Sequence, residues 1–158
     1  MTALLRFLPR AIARFLMRSG ARGIALYNRV VHPHVRGVGV FVRHEGRVLL
    51  VRSTYQSWWG LPGGRVDRGE EPRAAAAREL HEETALTAAP DALTALGELH
   101  LEHNHIHDHV SFFELRCERE PAVRCDGIEI AELRWMREDE LRAQKLWPPL
   151  AAWLTRTR

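Results

Sequence analysis

A chain of 158 residues, 46% hydrophobic and 27% charged, has the composition of a soluble globular protein and the length of one domain with a core of its own. Two cysteines, Cys117 and Cys125, are too few for a disulfide framework and match no zinc-finger spacing, so reduced thiols in a cytoplasmic protein are expected. The net charge of +3 is unevenly carried: residues 1–44 hold eight arginines and no acidic residue, which leaves the remainder net acidic and without an evident basic track for nucleic acid.

Taken in chain order, the first segment is a basic amphipathic helix. Leu4, Leu8, Ala11, Ile12, Phe15 and Leu16 fall on one face and Arg6, Arg10 and Arg14 on the other, with Pro9 a source of a kink. No run approaches the roughly 20 apolar residues needed to span a bilayer, and there is no secretory signal order. Packing on its own domain or on a second subunit, as in a homodimer, is the preferred reading. Membrane-surface contact and an organelle presequence are the others. Residues 1–34 are accordingly set apart from a domain spanning 35–158.

From Val35 two β-rich runs about His44-Glu45-Gly46 predict a hairpin. Trp58-Trp59-Gly60-Leu61-Pro62-Gly63-Gly64 is a glycine-rich turn, and Pro72 suits the first turn of a helix that runs from Arg73 to Leu86. Val110 to Cys117 and Ile128 to Met136 read as strands, Asp91 to Leu101 less clearly so. Glu138 to Leu154 is a closing helix or two short ones, interrupted by Pro148 and Pro149. The order gives a single α/β (α+β) domain.

The chemistry sits on the central helix. Glu79, Glu82 and Glu83 are three and four residues apart and therefore share one face. Two such charges about 4 Å apart repel by roughly 4 kcal/mol at an effective dielectric near 20, but by only tenths of a kcal/mol per pair in open solvent. An isolated acidic pair would be read as a solvated face. Here a glycine turn leads into the helix and can bring backbone oxygen close, and clustered oxygen donors suit Mg²⁺, which commonly completes its shell with substrate phosphate.

Gly64, Glu70, Arg78, Glu79, Leu80, Glu82, Glu83 and Leu86 follow the spacing of the Nudix box, and this stretch resembles that of the Nudix hydrolase family. The departure is Ala85, where the family pattern has glycine. The resemblance implies a mixed β-sheet sandwiched between helices, and Mg²⁺-dependent hydrolysis, with Mn²⁺ as a substitute, of a diphosphate linkage in a nucleoside diphosphate derivative or nucleoside triphosphate. It also implies that Glu79, Glu82 and Glu83 hold the metal with the Gly63 carbonyl, that Arg78 orients Glu79, and that Glu70 steadies the loop. Some members add an acidic residue from a later loop, here Glu129, with Glu132 or Asp126 as substitutes. Arg52 is an expected substrate contact, and of Trp58 and Trp59 one, Trp59, is assigned to stack on a base or sugar, although a Trp pair beside a turn is more often core or rim packing.

The region Leu101-Glu102-His103 lacks both the Pro of ADP-ribose-type members and the Tyr of dinucleoside-polyphosphate members. No downstream Ser-Gln-Pro-Trp run resembles NADH-type members. A small-molecule nucleotide substrate is therefore expected without being specified further. The alternative is a non-catalytic Nudix-fold sensor, which the intact glutamates weigh against. Histidines at 100, 103, 105, 107 and 109 have a spacing that could hold a soft divalent metal, or contact phosphate, although a polar strand edge is the preferred reading.

Overall fold

The computed structural model describes Gly23 and residues 30–103, 105–125 and 127–156, so the amphipathic helix expected over residues 3–18 lies outside the described residues. Strands β1 (His34–His44), β2 (Arg47–Ser53), β3 (Thr94–His103), β4 (Ile106–Arg116) and β5 (Ile130–Arg137) form one sheet in the order β3-β4-β1-β2-β5. The β1–β4 pair is parallel and the other three pairs are antiparallel, which makes the sheet mixed. Helices α1 (Pro72–Thr84), α2 (Glu138–Leu141) and α3 (Pro148–Arg156) complete the domain, with a 3₁₀ turn at Pro90–Ala92.

Alternation along the central strands sends side chains to both faces of the sheet, and each face is buried. Val38, Val40 and Val42 of β1 pack with Ala75, Ala76 and Leu80 of α1, where two alanines let the helix approach the sheet closely. Phe41, Leu50, Val110 and Phe112 face the other way, against Leu150 and Trp153 of α3. The expected sandwich of helix, mixed sheet and helix is the observed one.

The hairpin expected at Val35 exists but is short. β1 and β2 pair only at Arg43↔Val48 and His44↔Arg47, beside the turn at Glu45 and Gly46. Toward the other end the two strands part, and the glycine-rich stretch fills the gap. Val38 N–H donates to Gly64 O at 2.9 Å, Val40 N–H to Pro62 O at 2.8 Å and Val66 N–H to Arg36 O at 2.9 Å, while Gly60 exchanges hydrogen bonds with Val51 of β2. The segment from Asp91, uncertain in sequence, contains a true edge strand from Thr94. β4 begins at Ile106, four positions before the expected Val110, because parallel pairing with β1 extends back to His34↔His107. The closing region is two helices, α2 and α3, with Pro148 starting the second.

Candidate active site

Two glycines bring the loop and α1 together. A Cβ on Gly63 would stand 2.1 Å from the Val38 carbonyl oxygen, and a Cβ on Gly64 would stand 2.5 Å from Glu79 Cδ and 2.6 Å from both its carboxylate oxygens. Any side chain at 64 would therefore displace the Glu79 carboxylate. Pro62 and Gly64 turn their carbonyls to β1, whereas the Gly63 N–H donates to Glu83 Oε2 at 2.9 Å.

Arg78 organises the entrance to the helix. Its Nε and Nη2 donate to the two oxygens of Glu70, both at 2.9 Å, its Nη1 donates to Glu79 Oε1 at 2.7 Å, and Nη2 also reaches the Arg65 carbonyl at 3.0 Å. Glu70 in turn accepts the Asp67 N–H at 2.9 Å, and its hydrogen bonds from Arg78 hold its carboxyl below the ordinary glutamate range. Burial pushes the Glu79 carboxyl above that range. Arg78 pulls it the other way, and Glu82 and Glu70 add to the rise. Glu79 has 16% of its side chain exposed and Glu82 has 49%, so Glu82 stands on the rim, with one oxygen 3.9 Å from Arg78.

Glu129 joins this group from the loop before β5. It is placed by the Thr54 N–H, which donates to Glu129 O at 2.8 Å, and by the Thr54 hydroxyl, which donates to Ile128 O at 2.8 Å. The Tyr55 hydroxyl donates to the Glu129 side chain. It is held protonated well above the ordinary tyrosine range, first by burial and then by the carboxylates of Glu129, Glu83 and Glu79. Carboxylates from α1 and from the β5 approach thus share one neighbourhood around a tyrosine. Tyr55 was not anticipated: its only sequence signal is that one of the chain's two tyrosines sits in the loop after β2.

Hard oxygen donors on a partly buried surface, with one carboxylate raised by desolvation, fit a divalent cation of the Mg²⁺ or Mn²⁺ type better than they fit one another. Glu132, a substitute for Glu129 in the sequence reading, is instead paired with Arg52 and Arg134 on the β2–β5 ladder. Asp126 lies outside the described residues.

Of the two readings open for Trp59, the structure favours core packing. Only 5% of the residue is exposed, it belongs to the core beside Leu61 and Leu150, and the guanidinium carbons of Arg52 and Arg134 lie over its ring at 5.1 and 4.9 Å. Little of the ring is left for a substrate base, because packing of an indole beside a turn removes it from water. Arg52 keeps 42% of its side chain exposed while paired with Glu132.

The family model described as NUDIX domain matches residues 33–157. A putative 8-oxo-dGTP diphosphatase from Bacillus subtilis is 35% identical over 109 residues, covering 68% of this chain and 70% of that protein. A MutT-like protein from Streptomyces ambofaciens is 30% identical over 103 residues, covering 65% of this chain and 63% of its own length. The chain thus spans 63–70% of the length of these two curated relatives. The crystal structure of a MutT Nudix hydrolase from Burkholderia pseudomallei superposes with a TM-score of 0.69 at 24% identity, over 79% of this chain and 98% of that one, a likeness of fold.

Proposed function

This chain belongs to the Nudix family, and on that premise we propose that it is a pyrophosphohydrolase cleaving a diphosphate linkage in a nucleoside diphosphate derivative or nucleoside triphosphate in the cytoplasm, with residues 35–158 as the catalytic unit. The observation that carries this reading is the shared neighbourhood of Glu79, Glu83 and Glu129 around Tyr55. The name of the Bacillus subtilis relative, a putative diphosphatase, supports the substrate class.

Glu79, Glu83 and Glu129 would hold the cation, Glu82 would reach it from the rim, and the Gly63 carbonyl is the backbone oxygen assigned with them. When bound, Mg²⁺ or Mn²⁺ supplies charge neutralisation on the diphosphate and a lowered pKa for an attacking water. The protein's own part is positional. Arg78 fixes the Glu79 carboxylate through Oε1, and the Gly63 N–H fixes Glu83 through Oε2, so neither carboxylate has to be ordered when substrate arrives. Glu79, 16% exposed against 49% for Glu82 and gripped by Arg78, is assigned to accept the proton of the attacking water. Arg52, the exposed cation at the end of β2, is assigned to substrate.

Hydrolysis of a panel of nucleoside triphosphates and diphosphate derivatives, with Mg²⁺ in excess, tests this reading. Glu79→Gln and Glu83→Gln should each lose about 100-fold or more in kcat/KM. Turnover near that of the native protein in both variants would refute it.

A further inference from the structure

The β3–β4 edge of the sheet carries a second constellation of ligand atoms, which shares no residue with the carboxylates of α1. Glu98 and His100 are two apart on β3 and so point to the same face, and the antiparallel register sets His100 opposite His109 and Glu98 opposite Ser111. One ligand atom from each of Glu98, His100 and His109 lies within 4.8 Å of the others. The two imidazoles stack with centroids 4.0 Å apart and planes inclined by 25°, and His109 Nε2 sits 2.8 Å from Glu98 Oε2. We propose that these three residues form a surface site for a borderline-soft divalent cation, Zn²⁺, that ties the edge strand β3 to β4.

The donor set selects the ion. Two imidazoles and a carboxylate suit Zn²⁺, whereas the all-oxygen group on α1 suits Mg²⁺. Tetrahedral bonds of about 2.0–2.1 Å place ligand atoms about 3.3 Å apart, so the His109–Glu98 contact has to open by about half an ångström while His100 closes in. These are solvent-facing side chains that can make such an adjustment by rotation. The gap between His109 Nε2 and Glu98 Oε2 is the place the cation would take. Ser111 Oγ donates to the other oxygen of Glu98 at 3.2 Å, which holds the carboxylate and leaves Oε2 for the metal. His100 and His109 also line a surface cleft of about 480 Å³, from which water can complete the coordination. His107, on the same face, is drawn elsewhere: it stacks on His34 at 4.6 Å and lies 3.9 Å from Glu102.

Equilibrium dialysis of the full chain against micromolar Zn²⁺, with millimolar Mg²⁺ present to occupy the all-oxygen group, reads the site directly. One Zn²⁺ per chain is expected at pH 7.5. His100→Ala and His109→Ala should each weaken binding at least tenfold, Glu98→Gln should weaken it less, and His107→Ala should leave it unchanged. Thermal unfolding in chelator checks that the variants keep the native fold, and Zn²⁺ should raise Tm of the native chain but not of His109→Ala. Absence of bound Zn²⁺, retention in both His100→Ala and His109→Ala, or equal loss in His107→Ala would overturn the proposal.

Discussion

At the scale of single residues, two positions in the same motif are governed by different physics. At Gly64 the constraint is space, because the Glu79 carboxylate stands where a Cβ would be. At Ala85 the constraint is torsion alone. Ala85 closes α1 in the left-handed region at φ 58° and ψ 11°, and its N–H donates to His81 O at 2.9 Å, a helix ending that glycine adopts without cost. The helix therefore ends as in the family pattern despite the alanine, and the departure read from the sequence is a matter of stability. The left-handed conformation costs alanine about 1–2 kcal/mol, partly offset by the smaller backbone freedom that alanine loses on folding. Ala85→Gly should stabilise the protein by about 1 kcal/mol, or roughly 2–4 °C in Tm, with hydrolysis unchanged; calorimetry of the two proteins measures it.

At the scale of elements, α1 is held to its loop by the Arg78–Glu70 pair as well as by packing. Both side chains are partly screened by water, with 31% and 19% exposed, so the pair contributes about 1 kcal/mol. Because the folded-state pKa of Glu70 is depressed, that contribution is fully present above the ordinary glutamate pKa and is lost as pH falls through the lower folded value. Glu70→Gln should therefore destabilise the protein at neutral pH, and the gap to the native protein should close on acidification below about pH 4. Urea unfolding of both proteins across pH 3–7 provides the comparison.

The helix, with its glutamates and its loop glycines, was legible in sequence because the signal is local: spacing along one helix and a turn next to it. Glu129 was named only through the family resemblance, since its approach depends on Thr54 and on where β5 begins. Tyr55 was missed for the same reason. The place of Trp59 in the core is not legible in sequence, because an indole beside a glycine turn looks the same whether it caps a pocket or fills a core. The histidine spacing showed an extended segment, but the ligand set emerges only from the cross-strand register that puts His100 opposite His109.

At the scale of the whole molecule, the sheet is divided near its middle. β1 and β2 touch at one end, and the loop from Gly60 to Val66 occupies the opening between them, so the part of the chain nearest the glutamates is also part of the sheet. The helices on the two faces bury separate clusters, and the described helices include none long and apolar enough to cross a membrane. The loop's place in the sheet has a use for the experimenter. The amide protons of Val38 and Val40 are bonded to Gly64 and Pro62, so their exchange with deuterium follows the opening of that loop while their neighbours follow the sheet as a whole. Adding Mg²⁺ with a non-hydrolysable nucleotide should slow exchange at these two valines by about tenfold or more and leave the β3–β4 ladder unaltered, giving a resident gauge of occupancy that needs no turnover.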